Sequence, residues 1–122
     1  MLKNDKYIMI LGKIINYCDE IDLIVEKFGK SFESFEKNFI FQRSCSMCIL
    51  QIGELASRTD DNFRNKYNKV PWIKICGMRN RFAHDYDNML IKRIWETIED
   101  DIPFLKEYCK SILNVVSAND SE

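Results

Sequence analysis

Residues 79–86, RNRFAHDY, hold the only histidine among 122 residues. Arg79 stands five positions before His84, Asn80 four before it and Tyr86 two after it. Histidine titrates near neutrality and can give or take a proton. Arginine presents a planar fork of donors that matches a phosphate and steadies the charge developing on it. These groups suit cleavage of a phosphodiester in RNA. A base removes the proton of a ribose 2′-OH, the freed oxygen attacks the neighbouring phosphorus, and an acid protonates the departing 5′ oxygen. None of these steps calls for a metal. Two proton transfers are required, however, and the chain offers one histidine. Tyr86, a lysine or a second subunit's own His84 is then needed as the other group. The competing reading is a histidine satisfied by Asp85 or by a backbone group, without catalytic work.

Charge sharpens the first reading. Residues 62–84 carry six basic side chains (Arg64, Lys66, Lys69, Lys74, Arg79 and Arg81) and no acidic one, whereas the rest of the chain holds 12 basic against 19 acidic residues. A basic run leading into the octet points to an anionic partner, although the net charge of −1 does not mark the whole chain as a nucleic-acid binder.

Other candidate chemistry is weaker. Cys45 and Cys48 form a CxxC, but zinc needs a second pair of ligands, and Cys18, Cys76 and Cys109 stand apart from one another. A redox CxxC belongs at a helix N-terminus, where the dipole lowers the thiol pKa. This pair falls in the middle of an apolar stripe and reads as core. The doublets Asp60-Asp61 and Asp100-Asp101 lack a histidine or a third carboxylate beside them, which favours capping and surface roles over metal binding. Glu54 can pair with Arg58 one helical turn on, or stand behind a cleft if its helix lines one.

The elements that must position the octet read as helices throughout. Only 4 Gly and 2 Pro occur in a chain that is 46% hydrophobic. Tyr7, Leu11, Ile14, Cys18, Ile21, Val25 and Phe28 follow alternating steps of four and three, which is helical spacing. Asn4 or Asp5 can cap this helix and Gly29 can end it. Ser31 opens a short turn around Phe32 and Phe35. A second stripe runs through Phe41, Cys45, Cys48, Ile52 and Leu55. Gly53 within it costs about 1 kcal/mol relative to Ala, a cost that close approach of another helix would explain. Asp60 or Asp61 caps a short helix ending near Tyr67, and Pro71 starts a third long helix through Trp72, Ile75 and Cys76. The last stripe, from Ile91 and Trp95 through Ile98, Ile102, Leu105, Cys109 and Ile112 to Val116, keeps its phase across Pro103. It predicts a kinked helix or two nearly collinear ones.

The expected fold is thus all-α: one domain over residues 1–122, a bundle of about four main helices with short extra helical turns, and a polar tail disordered after about residue 117. With no secretory leader or membrane-length apolar run, and five cysteines, the expected setting is the cytoplasm with reduced thiols. If the third helix stops near His84, Asn80 and His84 share its face and Tyr86 joins them from an extended segment.

The octet resembles the Arg, four residues, His, one residue, Tyr signature of HepT-like toxins, a branch of the HEPN superfamily of helical ribonucleases. The likeness extends over nearly the whole chain, through Gly53-Glu54, Pro71-Trp72, Gly77-Met78 and Trp95. It implies a homodimer in which the Arg and His of both subunits face one cleft, and a metal-independent endoribonuclease that acts on cellular RNA as the toxin of a toxin–antitoxin pair. By this likeness Arg79 and His84 are the catalytic pair, Asn80 matches the polar residue after the arginine, and Glu54 matches a family position to which no role is assigned. Tyr86 matches a tyrosine that the partner antitoxin, a minimal nucleotidyltransferase, modifies with AMP. The ATP for that step belongs to the antitoxin, and this chain is expected to need no cofactor. The alternative is a non-catalytic helical adaptor that dimerises and binds a nucleotidyltransferase or RNA.

Overall fold

The structure, a computed structural model, describes the backbone of residues 3–120 and the side chains of residues 4–118. It is all-α, with no strand among the described residues. The helices are α1 (Lys3–Phe28), α2 (Phe32–Glu36), α3 (Phe39–Ala56), α4 (Asp61–Lys66), α5 (Trp72–His84), α6 (Ile91–Glu96) and α7 (Ile102–Asp120). A single 3₁₀ turn, Tyr86–Asn88, follows α5, and a wide π turn, Thr97–Asp101, joins α6 to α7.

Local chemistry accounts for the helix ends. Gly29 closes α1 at φ 118°, a left-handed conformation that only glycine adopts without strain. Ser31 Oγ accepts from the Ser34 N–H at the start of α2, and Asp60 Oδ1 from the Phe63 N–H at the start of α4. Each such cap contributes roughly 1 kcal/mol. Asn38 caps α3 by accepting from the N–H groups of Ile40 and Phe41. At α1 the expectation shifts: Asn4 and Asp5 lie inside its first turn, so any cap lies outside the described residues. α7 continues to Asp120, past the expected start of the polar tail; residues 121 and 122 lie outside the described residues.

The stripes meet in one core. Leu11, Ile14 and Cys18 of α1, Phe41, Cys45 and Ile52 of α3, and Ile102, Cys109 and Ile112 of α7 are all buried. Burying each of the larger side chains contributes roughly 1.5–3 kcal/mol. In space the order is α7, α1, α3, α5: α1 packs on both α7 and α3, and α5 packs chiefly on the far side of α3. The phase of the last stripe survives Pro103 because the chain widens just before it. The Ile102 N–H reaches the Thr97 carbonyl, five residues back. A π turn of this kind absorbs the clash between a proline ring and the carbonyl four residues earlier. No helix among the described residues is long and apolar enough to cross a membrane.

Candidate functional site

α5 carries the octet, and it ends at His84. Its inner face is set by Trp72, Ile75 and Phe82, all buried. Trp72 also anchors the helix start, donating from Nε1 to the Tyr67 carbonyl at 2.6 Å. α5 approaches α3 closely at Gly53. A Cβ there would lie 2.8 Å from the Arg79 backbone nitrogen and 3.0 Å from the Ile75 carbonyl oxygen. Gly53 is therefore the contact point that its place inside a helix suggested.

Arg79 emerges beside that contact. Its Nε pairs with Oε2 of Glu54, the residue after Gly53, and half of the arginine side chain stays exposed (50%, against 35% for Glu54). This replaces the expected Glu54–Arg58 pair with one between two helices. Sequence separation hid the pairing, since an i,i+4 neighbour is visible in a linear pattern and a partner 25 positions away on another helix is not. The one advance signal was the glycine next to Glu54, which announced a crossing helix.

Asn80 and His84 sit on the opposite side of α5 from α3. They continue a stripe with Ile73 and Gly77, spaced four, three and four. Ile73 is 79% exposed, and a Cβ at Gly77 would meet nothing. Asn80 and His84 are both exposed, and no hydrogen bond or ion pair within the described residues holds either. The reading of His84 as a side chain satisfied by Asp85 does not describe this arrangement: Asp85 Oδ1 instead accepts from Asn88 Nδ2 at 2.7 Å. On a continuous helix, Arg79 and His84 diverge by about 140°. One chain therefore presents the two groups to different sides.

Tyr86 leaves the helix on the 3₁₀ turn and turns towards α3. Its ring lies 6.3 Å from that of Phe82, and Ser46 Oγ comes within 3.5 Å of its hydroxyl. The phenol borders a shallow groove of about 220 Å³ whose rim includes Arg43. His84 and Tyr86 are thus close in sequence but face different ways.

The basic run does not form a single patch. Arg64 turns inward, its Nε donating to Thr59 Oγ1 at 2.8 Å and its Nη2 to the Ala56 carbonyl at 3.3 Å, where it finishes the C-terminus of α3. Lys74 and Arg81 line a cleft between α5 and the π turn, opposite Asp100 and Asp101. Arg79 is the member of the run that borders the α3 seam next to the octet's own groups.

The cysteines behave as core. Burial pushes the Cys45 thiol up to about 12 and the Cys48 thiol up to about 11. Neither sits at a helix start, and all five thiols are free. Among the described residues, no three of the His, Cys, Asp and Glu side chains come together as a metal site.

Comparison with known proteins shows the family of the chain. The family described as Ribonuclease HepT-like matches residues 14–112. A protein of Caldanaerobacter subterraneus subsp. tengcongensis whose name proposes an RNase is 38% identical over 95 residues, covering 77% of this chain and 85% of its own. One from Methanocaldococcus jannaschii, also named as a proposed RNase, is 27% identical over 110 residues, 90% of this chain and 89% of its own. A third, from Thermococcus cleftensis, is named as a proposed ribonuclease HepT and is 27% identical over 85 residues, 68% of this chain and 77% of its own. No solved structure matches.

Proposed function

Because the chain belongs to the Ribonuclease HepT-like family, we propose that it is an RNA-cleaving hydrolase whose working groups are Arg79, Asn80 and His84. The observation that carries this reading is the outward presentation of His84 and Asn80 at the end of α5, with Arg79 half exposed on a different side of the same helix. Arg79 binds the scissile phosphate and steadies the charge that grows on its oxygens. His84 exchanges a proton with the 2′-OH or the 5′ leaving oxygen. Asn80, one turn before His84 on the same face, orients the ribose or the imidazole by hydrogen bonding. No metal enters this scheme.

The second proton-transfer group comes from a second copy of the chain. The stripe Ile73, Gly77, Asn80 and His84 supports this, because it has helix-packing spacing, an exposed isoleucine and open space at its glycine. A two-fold pairing of α5 helices would be self-complementary and would bring His84 and the partner subunit's His84 to one cleft.

The biological role in this proposal is that of a toxin silenced by its antitoxin. A minimal nucleotidyltransferase joins the Tyr86 hydroxyl to the α-phosphorus of ATP and releases pyrophosphate. The groove beside Tyr86 supports this use: the phenol lies at its edge, and Arg43 on its rim can meet the added phosphate.

The test uses wild-type protein from a heterologous host on transfer and messenger RNA in EDTA. Cleavage is expected, with His84→Ala inactive yet folded and dimeric. Intact-mass analysis after incubation with the antitoxin and ATP should add AMP at Tyr86. An uncleaved substrate together with an unmodified Tyr86 would overturn the reading and leave the non-catalytic adaptor in its place.

A further inference from the structure

The seam between α3 and α5 carries more than the contact at Gly53. Gly53 meets Arg79 on it, and Ser46, seven residues earlier, meets Tyr86, seven residues later. The groove of about 220 Å³ opens at the Tyr86 end of this seam. Its walls include the apolar surfaces of Met47, Leu50, Phe82 and Tyr86, and Arg43 and Asp87 border it. Leu50 stands one helical turn before Glu54, about 6 Å along α3, so the groove begins next to the place where Arg79 emerges.

The far end of the groove is both cationic and apolar. Arg43 is exposed, and no ion pair within the described residues holds it. Its guanidinium carbon lies 5.7 Å from the centre of the Phe39 ring. Phe39 is 64% exposed and Met47 59%. Apolar side chains left in water and rimmed by charge mark an interaction surface.

The order along α3 is therefore a cation at Arg79, an apolar groove, a second cation at Arg43 and an open aromatic ring. Single-stranded nucleic acid is bound by this kind of layout, with cations tracking the phosphates and apolar or aromatic planes taking the bases. A groove of this volume cannot seat a helix, whose diameter is about 10–12 Å, but it has the dimensions of one planar base. We infer that the groove is a nucleobase subsite: it takes one unpaired base of an RNA strand whose phosphates meet Arg79 on one side and Arg43 on the other. This rests on the reading of Arg79 as the phosphate-binding group. Asp87 repels phosphate and accepts hydrogen bonds, so it serves the N–H edge of the base. A base inside a duplex is stacked on both faces and paired at its edge, and it enters only at the cost of unstacking. The chain thus selects single-stranded segments, as sequence-reading RNA proteins commonly do.

The test uses protein whose intact mass shows Tyr86 unmodified. The probe is an uncleavable 2′-O-methyl oligonucleotide carrying one 4-thiouridine, alone or annealed to its complement. Fluorescence anisotropy should show the single strand bound more tightly than the duplex. Met47→Ala should weaken single-strand binding roughly 5-fold, the loss expected from removing an apolar wall of this size, and should leave duplex binding unchanged. Arg43→Ala should weaken it too, with a salt dependence shallower by about one phosphate contact. Both side chains are exposed, so circular dichroism and oligomer mass should match wild type. Irradiation should cross-link the thiobase to Met47, Leu50, Phe82 or Tyr86, read by peptide mass spectrometry. Equal single-strand affinity in Met47→Ala, cross-links confined to other residues, or a wild type that binds no RNA would each overturn the inference. Equal RNA affinity together with weakened antitoxin binding in Met47→Ala would assign the groove to a protein partner instead. Cleavage by wild type with cross-links elsewhere sinks the subsite alone, whereas cross-links in the groove without cleavage sink the ribonuclease reading and leave the subsite standing.

Discussion

The five thiols differ by position. Burial raises the Cys18, Cys45 and Cys109 thiols to about 12 and the Cys48 thiol to about 11. Cys76 is also raised by burial, but Arg64 pulls the other way, its Nη2 lying 3.4 Å from Sγ, and Cys76 is the one thiol that is only partly buried. The thiolate is the reactive form, so thiols held this far above neutrality react slowly in the folded chain. At pH 8 an alkylating reagent should label Cys76 first, and should reach Cys45 and Cys48 only when denaturant unfolds the protein. Peptide mass spectrometry reads the order, and rapid native labelling of the CxxC pair would reopen a redox role for it. Arg79, Asn80 and His84 behave in the opposite way: they are exposed. Replacing His84 should change the stability of the single chain by no more than about 0.5 kcal/mol, so a loss of cleavage in a His84→Ala protein that stays dimeric reports on chemistry rather than folding.

At the scale of elements, the crossing of α3 and α5 matters most, and two glycines test it against each other. A methyl group at Gly53 would press on the Arg79 backbone nitrogen and the Ile75 carbonyl, and neither can move without shifting α5. Gly53→Ala should therefore destabilise by about 1–3 kcal/mol, as overpacking usually does, and should lower cleavage further by displacing Arg79. At Gly12, within α1, an added methyl group would meet nothing within 4 Å. Gly12→Ala should stabilise by about 0.8–1 kcal/mol through helix propensity alone. Thermal unfolding of both variants checks the signs; a stabilised Gly53→Ala protein would mean that the helices do not meet there. The other decisive element is the π turn. By widening the chain ahead of Pro103 it keeps Ile98, Ile102 and Leu105 on one buried face, so the last stripe works as a single core-facing surface despite the proline.

For the whole molecule, the spatial order α7, α1, α3, α5 leaves α5, with its octet, at the outside. The opposite flank is held by Lys106 of α7, whose Nζ donates to Asp19 Oδ1 at 2.6 Å and Asp22 Oδ2 at 3.1 Å on α1. The Asp19 hydrogen bond, then that to Asp22, raises the Lys106 pKa above the ordinary lysine value. A raised lysine pKa stabilises the fold at every pH below the ordinary lysine range and is lost only in strong alkali. Lys106→Met should thus lower stability by on the order of 1 kcal/mol, since the pair is near the surface, and by the same amount at pH 6 and pH 8; a pH-dependent difference in thermal unfolding would contradict this. Much of this molecule was legible in its sequence. The helices, their caps at Ser31 and Asp60 and the buried stripes follow from spacings of three and four and from local hydrogen-bonding groups, which act within a few residues; the end of α5 at His84 stood only as a condition and is settled by the structure. What Arg79, Asn80, His84 and Tyr86 are chemically able to do was legible for the same reason, since side-chain type is a property of the residue. Which way those groups point was decided by tertiary packing. Glu54 meets Arg79 rather than Arg58, Arg64 turns inward to close α3, and Tyr86 faces Ser46 while His84 faces out. Each of these depends on how one helix lies against another, and periodicity within a single helix carries no information about its neighbour.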